Sequence, residues 1–337
     1  MTSLVLTVTE TLRYRGAIGQ WSWVLHRITG LGVVLFLTLH VIDTSWAAFY
    51  PDLYVKAIAI YQTPLFTIGE FALVACVVYH AFNGLRIAIF DFRPVLWKHQ
   101  ARGAYIVLGA TILVLIPVFL LMFTHVLNFY NEQPSILPLN VVLQEQLPFA
   151  IGIGAAAVGA LVLSAIAGVI TGNAKPGPVG KGRGSRLERF WWSFMRVSGL
   201  IIVPLVFGHL AMMHVIQGVF DITAADSVVV GTGAVNASGT AVEFVAARWN
   251  HLVAGIAVWR IFDILLLATV VLHGFNGLRY VLTDYTMTNA FLRRAMVYLC
   301  VIGGAVLLVV GGLALFSTID QTAVQMAEEA ARNLGLE

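Results

Sequence analysis

The chain has 337 residues, of which 59% are apolar and 11% are charged, with a formal net charge of +3. A soluble domain carries about 25% charged residues, so this composition excludes a soluble globular fold, and the apolar content and small net charge exclude disorder and nucleic-acid binding. What remains is an integral membrane protein, because stretches of about 20 or more apolar residues recur along the whole chain.

In chain order the apolar runs lie at 22–48, 64–90, 103–128, 148–171, 191–216, 250–282 and 293–317. At about 1.5 Å per residue, each is long enough to cross a ~30 Å hydrocarbon core, so the pattern predicts an all-α bundle of seven transmembrane helices. The fourth run is rich in small residues (Gly152, Gly154, Ala155, Ala156, Ala157, Gly159, Ala160), which suits close helix packing. With the N-terminus inside, 16 of the 20 Lys and Arg fall on inner segments and inner helix ends; Lys56, Arg248, Arg260 and Arg332 do not. The positive-inside rule then predicts a cytoplasmic N-terminus and an external C-terminus. The first 20 residues lack an apolar h-region, so no cleavable signal peptide is expected. Segment 172–190, rich in Gly, Pro, Lys and Arg, reads as a cytoplasmic linker, and the tail after Asp320 as a short amphipathic helix outside. The two cysteines cannot hold an iron–sulfur cluster, and no GxGxxG after a strand or P-loop offers the common routes to flavin, NAD or ATP.

The two halves are related. Arg27-Ile-Thr-Gly30 precedes His40, and Arg196-Val-Ser-Gly199 precedes His209, each histidine 13 residues after its arginine. His80-Ala-Phe-Asn-Gly-Leu-Arg86…Asp91-Phe92 matches His273-Gly-Phe-Asn-Gly-Leu-Arg279…Asp284-Tyr285 at seven of 13 positions. This density of identity marks an internal duplication. The expected division is a first three-helix repeat over 1–128, a connecting span and linker over 129–190, and a second three-helix repeat over 191–337. Equal charge bias requires both repeats to run in the same direction, and the fourth span brings the chain back between them. The repeats should pack about a pseudo-twofold axis along the membrane normal.

An ionisable side chain in lipid is costly, so it faces the bundle interior and usually serves function. Four histidines in two symmetry-related pairs point to bis-histidine haem b. His40 lies about 20 Å from the inner surface, and His209 shares that depth by the repeat; His80 and His273 lie deeper towards the inside. Two non-covalent haems are therefore expected, one on His80 and His273 and one on His40 and His209. With both axial positions filled, they would carry electrons rather than activate oxygen. Arg27, Arg86, Arg196 and Arg279 have two readings: helix-end anchors at the headgroups, or partners of haem propionates. Glu70 and Asp263, each ten residues before a haem histidine, are candidates for proton relay or for structural pairing, Asp263 with Arg260. Gly84 and Gly277 are expected to make room for the flat ring.

These motifs resemble the membrane-anchor cytochrome b subunits of succinate:quinone oxidoreductase and fumarate reductase, respiratory complex II. Leu25-His26-Arg27-Ile28-Thr29-Gly30 resembles the LHRxTG/SG motif of the larger anchor, His80…Asp91-Phe92 its haem helix, and His273…Asp284-Tyr285 the haem helix of the smaller anchor. The resemblance implies both anchors fused in one chain in a bacterial inner membrane. It further implies a FAD-containing flavoprotein and an iron–sulfur subunit docked on the cytoplasmic face, and electron transfer from succinate to menaquinone or ubiquinone. His26, Arg27, Asp284 and Tyr285 match positions that line the family's quinone pocket. The family's serine three residues before the motif histidine is replaced by Trp23, with Ser22 beside it. Two other readings share part of the pattern: a cytochrome b of a formate, hydrogenase or nitrate system, which lacks the paired H-x-F-N-G-L-R…D-[FY] pattern, and a haem-free seven-span transporter.

Overall fold

A computed structural model describes residues 16–132, 138–171 and 185–336. The greater part of the linker, with Lys175, Lys181 and Arg183, lies outside the described residues, as do Arg13 and Arg15. Seven helical segments are long and apolar enough to cross a membrane, as expected. The first span is α1 (Ile18–Phe49), followed by the short α2 (Pro51–Tyr61) and the second span α3 (Pro64–Phe92). A 3₁₀ turn (Pro94–His99) leads into the third span α4 (Gln100–Glu132). The fourth span combines α5 (Leu139–Gln144) with α6 (Leu147–Thr171). The fifth is α7 (Arg186–Ala211), continued by a π turn (Met212–Ile216). After an outer segment containing α8 (Ala241–Asn250) come the sixth span α9 (Val258–Tyr285), the seventh span α10 (Ala290–Phe316) and a final α11 (Gln321–Leu334). The only sheet among the described residues is a two-residue hairpin, β1 (Ser227–Val228) with β2 (Val235–Asn236).

Local sequence explains where the helices begin. Pro51 and Pro64 occupy first turns, where the missing N–H costs nothing. Ser185 accepts the backbone N–H of Glu188 at 3.1 Å, and Thr240 accepts that of Glu243 at 3.2 Å, so each Ser/Thr-x-x-Glu sequence starts a helix. Asn289 accepts from Phe291 and Leu292 to open α10.

The two repeats are α1, α3, α4 and α7, α9, α10. They meet reciprocally: α1 packs against α9 and α10, while α7 packs against α3 and its π continuation against α4. A self-complementary contact of this kind is what a twofold relation imposes. The fourth span lies at the periphery, against α10, where Ser164 Oγ donates to Phe291 O at 2.6 Å. Most of α6 therefore faces lipid, as its small, apolar sequence allows.

Two features depart from the sequence reading. The sixth span starts at Val258 rather than at 250. The apolar run Leu252–Ala257 has the hydropathy of a helix, but it folds as a turn. Val253 and Ile256 exchange backbone hydrogen bonds at 2.9 and 3.0 Å, with Ala254 and Gly255 at φ +51° and +79°. The outer ends of the spans also carry a packed cap. Its core joins α2, α8 and α11 through residues such as Val55, Ile58, Val242, Phe244 and Ala327. The tail is indeed an amphipathic helix, and its apolar face packs on α2 and α8. Arg248 of α8 is buried in the cap, over the Trp259 ring at 4.3 Å. Burial lowers its pKa, and nearby Asp263 opposes that shift.

The orientation predicts a labelling pattern. A cysteine replacing exposed Lys98 on the 3₁₀ turn should be protected from an impermeant thiol reagent outside intact cells. A cysteine replacing exposed Leu252 should react. The reverse pattern would invert the topology.

Candidate functional site

The four repeated histidines sit on the four central helices, α1, α3, α7 and α9, in two layers. In the outer layer His40 and His209 face each other with ring centroids 5.9 Å apart and planes at 75°. His209 Nδ1 is buried and has no hydrogen-bond partner among the described residues. Beside them His214 Nδ1 lies 3.3 Å from Glu70 Oε1, so His214 is a partnered histidine on the π turn. Asp263 accepts from Trp249 Nε1 at 3.1 Å. It does not pair with Arg260, which donates to Trp249 O, Leu315 O and Asn250 Oδ1 instead. With α8 folded back over the start of α9, Arg260 faces carbonyl groups at helix ends rather than Asp263.

In the inner layer His80 stacks on His26, with centroids 3.9 Å apart and planes at 10°. His80 Nδ1 is 3.1 Å from the His26 carbonyl oxygen and 3.5 Å from Thr29 Oγ1. His273 Nδ1 is 2.9 Å from Ser198 Oγ. Thr29 and Ser198 are repeat mates, and each is followed by a glycine that clears the imidazole. A Cβ on Gly30 would come within 2.8 Å of His80 Cε1, and one on Gly199 within 3.4 Å of His273 Cε1. The Arg-x-[Ser/Thr]-Gly motif thus supplies a hydroxyl and a gap to the histidine of the neighbouring helix. Reading the sequence missed this role of Thr29 and Ser198, although the repeated hydroxyl beside a repeated glycine was visible in it. Gly84 and Gly277 face other side chains: their added Cβ atoms would meet His26 at 3.7 Å and Met195 at 3.5 Å. They make room for those repeat-mate side chains.

At the inner end, the arginines of one repeat pair with the aspartates of the other. Arg27 on α1 forms an ion pair with Asp284 on α9. Arg196 on α7 donates to Asp91 Oδ2 on α3 through Nε at 2.8 Å and Nη2 at 2.5 Å. Each guanidinium also lies over a tryptophan four residues earlier in its helix: Arg27 over Trp23 at 3.9 Å, and Arg196 over Trp192 at 3.3 Å. The Tyr285 ring completes the first cluster, 5.9 Å from the Arg27 guanidinium carbon, and Tyr285 is 70% exposed. The structure therefore brings together Trp23, Arg27, Asp284 and Tyr285. Ser22 turns away and is buried between α1 and α3, donating to Asn83 Oδ1 at 2.8 Å. His26 reaches inward to the histidine layer. The other two repeated arginines are also engaged: Arg279 pairs with Glu188 at 3.0 Å, and Arg86 donates to Gln100 O at 3.2 Å while its buried Nε has no partner among the described residues.

Among the described residues, no group of three or more His, Cys, Asp and Glu could hold a metal ion by itself. His40 and His209 form a facing pair, the number of protein ligands that an iron carried in a macrocycle leaves to be filled. Two imidazoles on opposite sides of one metal, each bonded at about 2 Å, have ring centres about 6 Å apart. The 5.9 Å separation of the His40 and His209 rings fits that arrangement.

Residues 7–123 and 180–314 match the family described as succinate dehydrogenase/fumarate reductase transmembrane subunit. The chain is also similar to the succinate dehydrogenase 2 membrane subunit SdhC of Mycobacterium tuberculosis. The two are 35% identical over 118 residues, which make up 87% of that protein and 35% of this chain. No solved structure matches the chain.

The reciprocal ion pairs predict a measurable coupling. Double-mutant cycles on Arg196/Asp91 and Arg27/Asp284, read by thermal unfolding in detergent, should each give a favourable interaction of about 1 kcal/mol. The Asp91 pair should couple more strongly, because its carboxylate is 18% exposed against 47% for Asp284. Zero coupling in both cycles would remove the pairs from the account of how the halves are held together.

Proposed function

The chain belongs to the succinate dehydrogenase/fumarate reductase transmembrane subunit family, and on that premise we propose that it is a dihaem cytochrome b anchor passing electrons to quinone. The observation that carries this reading is the His40–His209 pair. Two histidines from equivalent positions in the two halves present their rings to each other at the separation that one iron requires. His80 and His273 are the corresponding inner pair. Haem b, held by these four histidines, would supply iron that changes by one electron with no position open to oxygen.

The proposed division of the chain rests on two observations. The two matched segments flank the fourth span, and the helices of the two halves pack reciprocally. In this reading 1–128 acts as the larger anchor, 191–337 as the smaller, and 129–190 as the connection. The chain is more than twice as long as its mycobacterial relative, as a fusion of two anchors requires. The site would lie in a bacterial inner membrane, with a flavoprotein and an iron–sulfur protein docked on the cytoplasmic face.

Quinone would bind at the inner cluster. A quinone needs hydrogen-bond donors at its carbonyl oxygens and protons as it accepts electrons. Tyr285 supplies an exposed hydroxyl as donor. Arg27, held by Asp284 and stacked on Trp23, presents a fixed cation beside it. Asp284 stands half-exposed at the inner water, where it can hand on a proton. His26, next to Arg27 in the chain, stacks on His80 and links the quinone cluster to the inner histidine layer. The equivalent cluster of the other half has Trp192, Arg196 and Asp91, but Phe92 and Met195 stand where Tyr285 and His26 are found. The hydroxyl and the imidazole are thus confined to one side of the axis, which favours one reactive quinone site. Of the propionate candidates, Arg86 has a buried, unpartnered N–H to offer; Arg27, Arg196 and Arg279 would exchange or share their carboxylate partners.

Two sets of variants test the proposal. His40→Ala and His80→Ala should each remove one haem, and a different one, by optical and EPR spectra. Full haem content in His40→Ala would make this a one-haem anchor. Tyr285→Phe should slow quinone reduction several-fold, since one hydrogen bond is worth about 0.5–1.5 kcal/mol. Succinate-driven dye reduction and the haem spectrum should stay unchanged; equal loss of both activities would take Tyr285 out of the quinone site.

A further inference from the structure

Ser198 and Thr29 stand at equivalent places beside the inner histidines, and their hydrogen bonds determine which ring nitrogen carries the proton. Ser198 Oγ has one hydrogen, and it is directed to the Phe194 carbonyl at 2.6 Å. The oxygen can therefore only accept from His273 Nδ1, 2.9 Å away, so Nδ1 carries the hydrogen. Thr29 Oγ1 likewise uses its hydrogen on the Leu25 carbonyl at 2.7 Å. His80 Nδ1 lies 3.1 Å from the His26 carbonyl, which can only accept. Both inner imidazoles are thereby Nδ1–H tautomers, with Nε2 bare and available to a metal.

The two repeats differ in how this is achieved. His80 has a backbone carbonyl at 3.1 Å as its main acceptor, and Thr29 is 3.5 Å away. For His273 the Ser198 hydroxyl is the acceptor, and among the described residues no backbone carbonyl is hydrogen-bonded to its Nδ1. A hydroxyl can be removed by mutation, whereas a carbonyl cannot. The neighbouring Gly199 lets the His273 ring approach, so the hydroxyl and the glycine act on one imidazole together.

We infer that Ser198 is the positioning residue for the inner haem, fixing His273 as an Nε2 ligand, and that Thr29 is a redundant counterpart. This rests on the dihaem reading for the ligand role but not for the tautomer. An outer acceptor on Nδ1–H orients a metal-bound imidazole and raises its basicity, and loss of such a partner typically weakens metal binding about 10- to 100-fold. A less basic ligand favours the reduced iron, so the inner haem's midpoint potential should rise in Ser198→Ala while the outer haem's stays put.

The test uses the full chain, reconstituted in lipid, in two measurements. In protein labelled with ¹⁵N-histidine, the His273 signals, assigned by their loss in His273→Gln, should show the Nδ1–H tautomer. Ser198→Ala should populate the other tautomer, and Ser198→Thr should restore the first. In the haem-loaded protein, Ser198→Ala should weaken inner-haem retention about tenfold and raise its potential, with Ser198→Thr close to wild type and Thr29→Ala weakening retention less than about threefold and leaving the potential in place. A wild-type His273 protonated on Nε2 would overturn the inference. So would a Ser198→Ala protein with unchanged tautomer and potential, or a Thr29→Ala effect as large as that of Ser198→Ala. If His273→Gln retains all haem, the ligand role falls with the dihaem reading, whatever the tautomer.

Discussion

An imidazole placed in hydrocarbon must find partners for both of its nitrogens, and the centre of this bundle is arranged around that need. A buried polar group without a partner costs several kcal/mol, about as much as a small domain's whole margin of stability. Four histidines at two depths repeat the demand. Helix α1 answers for α3 through the Thr29 hydroxyl, the His26 carbonyl and the gap at Gly30; α7 answers for α9 through Ser198 and Gly199. What these bonds leave bare, Nε2 of His80 and of His273, is where a cofactor would supply the remaining partner.

The same duplication holds the halves together at the inner surface. Each half donates an arginine and receives one on an aspartate, so the two ion pairs cross the pseudo-twofold axis in opposite directions. Stacking on Trp23 and Trp192 keeps each guanidinium planar against its helix. Symmetry of this kind makes two equivalent surface clusters, and chemistry is introduced by breaking it. Tyr285 replaces Phe92, and His26 replaces Met195, on a scaffold that folds alike on both sides.

Much of this was legible in the sequence because membrane helices obey few rules. Seven apolar runs correspond to seven spans, and the repeated motifs mark out His40 and His209, whose rings lie 5.9 Å apart in the fold. The losses occurred where hydropathy stops discriminating. Leu252–Ala257 is as apolar as the helix that follows, so the turn at Ala254 and Gly255 was invisible to a hydropathy reading. The outer cap is held by contacts between α2, α8 and α11 that are far apart in the chain, and no local pattern announces them. Asp263 was matched to Arg260 by spacing along one helix, whereas the folded-back α8 brings Trp249 to it instead. Ser22 and Trp23 are adjacent in sequence, yet the 100° step of a helix sends one into the α1–α3 contact and the other to the surface.

The central claim is that histidines related by the duplication embrace a planar group between the halves, twice. An experimentally determined density map of the purified complex tests it most directly. The account predicts two flat discs of density stacked across the membrane, one bridging His40 and His209 and the other bridging His80 and His273. Helices packed through both layers with side chains alone, and no disc at either pair, would contradict it.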